Sequence, residues 1–259
     1  MNSLKSTDVI EKVVTIVIPT FNRKSHLIRT VSSIAKYKDI VDVLVINDGG
    51  TAPDSLPQWI KVVNLEKNRG ESFAVNVGWT MARTKFFAVL SDDDPQPEGW
   101  LEPLIETALA NPNFIAYYPN CEIVFNGNVT ETIFAREYNR SEFIRFLRCP
   151  CLAGVLINRA HVYERLSDGV RVSSVSYPSD LIQWLSLSQL GDFFAVSAST
   201  ARWWVHSEQY SRVNDPNDLA NQYFENVSKW AKQNLSPIEK RFFLVTVMLR
   251  SMQILNSRK

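Results

Sequence analysis

Between Val13 and Ala110, short β-branched runs alternate with segments of helical period. That alternation restricts the chain to a mostly parallel sheet with crossover helices on its faces. The expected strands are Val13 to Ile18, Val43 to Ile46, Ile60 to Asn64 and Phe86 to Leu90. Between them, Lys24 to Lys36 sets Leu27, Ile28, Val31 and Ile34 or Ala35 on one helical face. Ser72 to Ala82 and Trp100 to Ala110 read as further helices, the last ending before Asn111-Pro112. At 259 residues and 45% hydrophobic content, the chain can bury the core of one large α/β domain, alone or with a helical appendage.

Beyond Ile115 to Tyr118 the pattern changes. Glu122 to Phe125 and Asn128 to Phe134 flank Asn126-Gly127, the dipeptide that favours a two-residue type I′ turn, so an antiparallel hairpin leaving the sheet is expected. Ser141 to Leu147 reads as a helix, Leu152 to Ile157 as a strand, Ala160 to Leu166 as a helix, and Asp180 to Leu190 as a helix closed by Gly191. Phe193 to Ser197 and Arg202 to Val205 are two further strands. From Asp215-Pro216 onward the chain reads as helical, with a break near Leu235-Ser236-Pro237.

Polar residues gather where the strands end: Pro19-Thr20-Phe21-Asn22-Arg23, Asn47-Asp48-Gly49-Gly50, Glu66-Lys67-Asn68-Arg69-Gly70, and Asp92-Asp93-Asp94 behind Ser91. Ligands of open α/β sheets bind beyond the carboxyl ends of the strands, and hard carboxylate oxygens there suit Mg²⁺ or Mn²⁺ on a phosphate. The competing reading of the aspartates is a solvated helix-entry turn, since Asp favours such caps. No Gly-x-Gly-x-x-Gly follows the first strand and no Gly-x-x-x-x-Gly-Lys occurs, which removes the dinucleotide and P-loop readings. A formal charge of +1 gives no global argument for nucleic acid. Three cysteines are too few for a disulfide framework, and Cys149-Pro150-Cys151 lacks the spacing and number of a structural zinc site. Met1 to Lys12 has no apolar core of a signal peptide and no stretch approaches ~18 uninterrupted apolar residues, so a cytoplasmic protein is expected.

The order Val14-Thr15-Ile16-Val17-Ile18-Pro19-Thr20-Phe21-Asn22-Arg23, then Val45-Ile46-Asn47-Asp48-Gly49, then Asn68-Arg69-Gly70 with Asn76, then Leu90-Ser91-Asp92-Asp93-Asp94, resembles the family 2 glycosyltransferases of GT-A fold. The likeness is strong over about 13–105 and looser to about 210. It implies a Rossmann-like, mostly parallel sheet in a GT-A domain over 1–212, with a nucleotide-binding half at about 13–118 and an acceptor half at about 119–212. A helical extension would cover 213–259. It also implies an inverting transferase that takes a sugar from a nucleotide diphosphate, most often UDP, with Mn²⁺ or Mg²⁺ on the diphosphate.

Carried over residue by residue, Pro19 and Thr20 border the nucleobase, and Asp48 accepts a hydrogen bond from it, which a carboxylate can do from an imide N–H. Asn22, Arg23, Asn68, Arg69, Gly70 and Asn76 join the donor-binding set, Arg69 contacting the diphosphate through its charge. The metal motif departs from the commonest form, because Ser91 stands where an aspartate is usual. Two assignments stay open: Asp93 holds the metal beside a ribose-binding Asp92, or Asp92 and Asp94 form the pair. Val75 stands where the family often has a basic residue. Asp180, in Tyr177-Pro178-Ser179-Asp180, resembles the family's base at a helix start, the alternative being a helix cap. His206, after Arg202-Trp203-Trp204-Val205, matches a histidine that completes the metal shell or touches the diphosphate. Trp203 and Trp204 are candidates to stack on a sugar, with core packing the alternative for at least one of them. Two other readings are a sugar nucleotidyltransferase, for which the triphosphate loop is missing, and a non-catalytic sugar-nucleotide- or glycan-binding module on the same scaffold.

In the tail, Pro237 to Leu255 places Ile238, Phe242, Val245, Leu249 and Met252 along one helical stripe, and 229–259 carries seven Lys or Arg against one Glu. Such a helix lies on anionic lipid at the inner face of a membrane, packs on the catalytic domain, or pairs with a second copy. The acceptor expected with it is a glycan or a lipid-linked molecule, in synthesis of a bacterial surface polysaccharide or related glycan.

Overall fold

The computed structural model describes residues 11–165, 177–207, 209 and 214–256. Leu166 of the predicted fifth helix, the expected boundary at 212/213, and residues 1–10 of the polar N-terminal segment lie outside the described residues. A mixed eight-stranded sheet organises the fold, with helices on both faces. Strands β1 (Val14–Thr20), β2 (Val41–Asn47), β3 (Ile60–Asn64) and β4 (Phe86–Val89) run parallel in the order β3-β2-β1-β4. The sheet then continues antiparallel through β7 (Leu156–Asn158) to β5 (Ala116–Phe125), which pairs with β6 (Asn128–Ile133) and, in parallel, with β8 (Phe193–Val205).

The period of β1 decides what covers each face. Val14, Ile16 and Ile18 point to the side covered by α1 (Lys24–Ser33) and α3 (Leu101–Ala110), whereas Val17 points to α2 (Glu71–Met81). All four are fully buried, each worth about 1.5–3 kcal/mol by removal from water. Helix α2 approaches β1 closely at Gly78, where a Cβ would lie 2.5 Å from the Val17 methyls. Within α1, Leu27, Val31 and the following Ile34 are buried, while Ile28 is exposed, so the apolar face is narrower than its sequence implies.

The second half differs from expectation in one consistent way. The predicted breaks at Pro119-Asn120-Cys121 and at Ala198 to Ala201 do not end the strands: β5 and β8 are each continuous, and their pairing resumes after a jump from Val196 to Thr200 on β8. Their register shifts between Pro119 and Asn120, and the Asn120 amide bridges the irregularity by donating to the Ser197 carbonyl at 2.9 Å. The excursion is therefore confined to β6, joined by a turn whose Asn126 and Gly127 both have positive φ, 49° and 80°. The predicted strand from Leu152 shrinks to β7, because 152–155 forms a loop held by the Trp100 Nε1 bond to the Gly154 carbonyl.

Helices α4 (Arg140–Phe146), α5 (Arg159–Arg165) and α6 (Ser179–Leu187) follow; α6 ends a turn before Leu190. Two C-terminal helices, α7 (Pro216–Asn234) and α8 (Pro237–Asn256), break at Leu235-Ser236 as expected. Tyr223, Val227 and Trp230 of α7, with Phe243 and Val247 of α8, belong to the same buried cluster as α2. The inner face of α8 thus packs on the domain. None of Ile238, Phe242, Val245, Leu249 and Met252 lies on that inner face.

Candidate functional site

The parallel strands β1, β2, β3 and β4 end on one side of the sheet, and the polar residues that follow them converge there. Asn47 Nδ2 bonds Asn64 Oδ1 at 2.9 Å, tying the ends of β2 and β3. Gly49, at φ +77°, lets the Asn47-to-Gly50 turn press on the third loop, since a Cβ there would stand 2.2 Å from the Lys67 carbonyl carbon. Asp48, almost wholly buried, accepts from the backbone N–H of Arg69 at 2.9 Å and of Gly70 at 2.7 Å, so its carboxylate fixes the Asn68-Arg69-Gly70 loop. Asn68 adds a bond from Gly70 N to its own Oδ1. Arg69 is exposed and lies over the Phe73 ring at 3.5 Å. Asn22, at φ 56°, accepts from Thr51 N, joining the first loop to the second.

The aspartate loop is built from three directions. Thr30 of α1 donates to the Asp92 carbonyl and Ser33 accepts from Gln96 N, so α1 holds the loop's backbone. Thr20 at the end of β1 donates to Asp92 Oδ2 at 2.6 Å. Arg23 Nη1 then lies 2.9 Å from Asp92 Oδ1 and 2.7 Å from Asp93 Oδ2. Burial raises the Asp92 pKa, against the pull of Thr20 and Arg23. Partial burial disfavours the Arg23 charge, but the two carboxylates outweigh it and its pKa is raised.

Asp94 turns away from this pair. Its Oδ1 accepts from the Trp204 backbone N–H at 2.8 Å, and burial with the neighbouring Asp93 holds its pKa well above the carboxylate range. Gln96 completes the attachment by bonding both Arg202 N and Arg202 O, at 2.9 and 3.0 Å. Trp204 Nε1 donates to the Pro95 carbonyl and its ring carries Arg29, whereas Trp203 is 37% exposed. The end of β8 is thereby seated on the loop after β4. That seating delivers His206, whose Nε2 is 2.8 Å from Asp93 Oδ2 and 3.3 Å from Arg23 Nη2, with His26 stacked on it at 5.5 Å.

Asp180 stands on the first turn of α6, where its Oδ1 accepts from Leu181 N at 2.7 Å. It keeps solvent contact, yet the surrounding protein desolvates it and raises its pKa. Glu71, the first residue of α2, is also exposed at the rim. Desolvation there, with repulsion from Asp180, Asp93 and Asp92, pushes its pKa up to about 7. Glu71 thus lies within electrostatic reach of both the aspartate pair and Asp180. Sequence reasoning passed over Glu71; its signal was its position directly after Arg69-Gly70 at a helix start. Pro19 is buried at the end of β1, and Asn76 lies on α2, one turn beyond Ser72. Among the described residues no group of three or more His, Cys, Asp or Glu is gathered to hold a metal.

Residues 15–168, more than half of the chain, match the model of glycosyl transferase family 2. The chain belongs to that family. An uncharacterised glycosyltransferase of Haemophilus influenzae is 23% identical over 220 residues, 77% of this chain and 68% of that protein. The pre-mycofactocin glycosyltransferase of Mycobacterium tuberculosis is 33% identical over 98 residues, which cover 36% of this chain and 20% of that protein. Among solved structures, S. aureus TarS 1–349 in complex with UDP-GlcNAc superposes with a TM-score of 0.69 at 16% identity, covering 96% of this chain and 74% of that one. Its complex with UDP gives 0.67, over 95% and 73%. The fold of this family 2 chain is therefore GT-A, with a C-terminal helical segment.

Proposed function

We propose that this family 2 chain is an inverting transferase that moves a sugar from a UDP-sugar to an acceptor hydroxyl. The observation that carries the reading is the convergence of Thr20, Arg23 and His206 on the Asp92-Asp93 pair at the carboxyl ends of the parallel strands. The TarS complexes with UDP-GlcNAc and UDP support a uridine diphosphate donor on the same fold.

In this reading the acceptor oxygen attacks the anomeric carbon as the bond to the diphosphate breaks on the opposite face. The hydroxyl proton passes to the Asp180 carboxylate and the bonding electrons leave with UDP. The desolvation that raises the pKa of Asp180 makes its ionised form a stronger base. The first three loops hold the nucleotide, with Thr20, Asn22 and Asp48 around the base, and Asn68, Arg69 and Gly70 along it.

The donor set fits a divalent cation that is completed by substrate. Asp93 Oδ2 and His206 Nε2 meet at 2.8 Å and Asp92 stands beside them; Arg23, which pairs with both carboxylates, would share them with the cation. Mg²⁺ and Mn²⁺ sites commonly use one or two carboxylates with phosphate oxygens, and Asp93 with Asp92 could supply that number. We assign Asp93 and His206 as ligands, Asp92 to the ribose or metal, and Asp94 to anchoring β8. When bound, the cation supplies positive charge to the diphosphate. By analogy with the family alone, the reading extends to a cytoplasmic enzyme of bacterial surface polysaccharide or related glycan synthesis, acting on a glycan or lipid-linked acceptor.

Thermal unfolding with a panel of nucleotide sugars, with and without Mn²⁺, tests the reading. One UDP-sugar is expected to raise the melting temperature more with Mn²⁺ than without, and Asp93→Ala to remove that enhancement. Stabilisation indifferent to the metal, or shared by every nucleotide sugar, overturns it.

A further inference from the structure

We propose that the outer face of α8, with the neighbouring end of α4, docks on an anionic phospholipid bilayer. Helix α8 is apolar on two sides. Phe243 and Val247 fill the domain core, fully buried. On the other side Ile238, Phe242, Val245, Leu249 and Met252 follow one another at alternating spacings of four and three, which keeps them on one stripe. They are 75, 56, 54, 52 and 52% exposed. Met248 and Leu255 widen the stripe along the helix, and Phe146 extends it onto α4. Isolated apolar residues on a surface need no explanation, but a contiguous patch of this length marks a surface that something covers.

The charge around the patch says what covers it. Arg145 lies over both Phe146 and Phe242, at 5.2 and 5.1 Å, and Arg148 over Phe146 at 5.6 Å. Arg241 is exposed next to Phe242. The nearby acids are engaged: Glu142 faces Arg148 at 3.6 Å, and Glu239 is bound by Ser236 and faces Arg140 at 3.4 Å. A second copy set face to face about a two-fold axis would bring the same basic rim onto itself. Anionic headgroups accept that rim, while the phenyl and aliphatic groups enter the acyl boundary. Among the described residues no helix is long and apolar enough to cross a membrane, so the contact lies in the plane of the interface.

Co-sedimentation of the full chain with vesicles of phosphatidylcholine, and of phosphatidylcholine mixed with phosphatidylglycerol, tests the proposal without donor or turnover. Its outcome is thus independent of the transferase reading. Binding is expected only with phosphatidylglycerol and is expected to weaken with added salt. Arg145→Gln and Arg241→Gln should each weaken it about fivefold, the equivalent of roughly 1 kcal/mol per basic residue near the surface. Phe242→Ser with Leu249→Ser should reduce it at least as far while the melting temperature holds. The proposal is overturned by absent binding or by equal binding to both vesicles. It is equally overturned if sedimentation equilibrium finds a dimer that Phe242→Ser with Leu249→Ser dissociates, which gives the face to a second copy.

Discussion

His206 Nε2 stands 2.8 Å from Asp93 Oδ2, joining residues 113 positions apart in the chain. The contact exists because β8 is pinned to the aspartate loop just before it, through Trp204 N on Asp94 and Arg202 on Gln96. Asp93 and His206 are therefore brought together by the attachment of Asp94 and Gln96 to the β8 backbone.

Asp94 and Asp93 should respond oppositely to the same change. Asp94→Asn retains an acceptor for Trp204 N–H and removes a buried acid whose charged form is disfavoured, so stability and the Mn²⁺ response should persist. Asp94→Ala leaves that N–H without its acceptor, at a cost of about 1–3 kcal/mol in urea unfolding. Asp93→Asn should instead abolish the Mn²⁺ shift at nearly unchanged stability. A Mn²⁺ response lost in Asp94→Asn and kept in Asp93→Asn would reverse the assignment.

Arg23 neutralises two buried carboxylates. Arg23→Gln should lower stability without metal by about 1–3 kcal/mol, less than for a fully buried pair because the guanidinium is 28% exposed. Mn²⁺ should then raise the melting temperature of the variant more than that of the wild type. Equal shifts would mean that Arg23 and the cation do not share these carboxylates.

Asp180→Asn should preserve donor affinity measured by calorimetry and reduce turnover by about 10²–10⁴-fold, the usual contribution of a positioned base. Retained turnover would remove Asp180 from the role. Loss of donor affinity would move it to the binding set.

Glu71 gives a pH signature. Its folded pKa is raised from 4.5 to about 7, so between those values the folded state holds a proton that the unfolded state has released. Stability should fall as pH rises through that window and level off above it. Solvent at the rim screens the group, which limits the change to about 1 kcal/mol. Glu71→Gln should flatten the dependence; urea midpoints on both sides of the window measure it, and an unchanged slope in the variant would assign the effect to other groups.

The first half of the sheet was legible because its signals are local. Short β-branched runs gave β1 to β4 to within a few residues, and Asn126-Gly127 gave the turn before β6. Pro119 to Cys121 and the Ala198 to Ala201 stretch read as breaks because pairing between β5 and β8, which overrides local preference, is invisible in either segment alone. The same limit applied to the site. Strand ends placed the aspartates, but the turning of Asp94 toward Trp204, the bridge made by Arg23 and the crowding of Glu71 by Asp180 depend on segments far apart in sequence.

The seating of β8 on the aspartate loop also governs how this chain can be recombined with its relatives. Because Asp94 and Gln96 hold backbone atoms of β8, an exchange that imports a foreign loop lacking these two side chains should displace His206 from Asp93. Acceptor-half grafts should therefore carry residues 91–96 together with the late strand as one inherited unit. Diversification of this transferase is then constrained where the late strand returns to the aspartate loop.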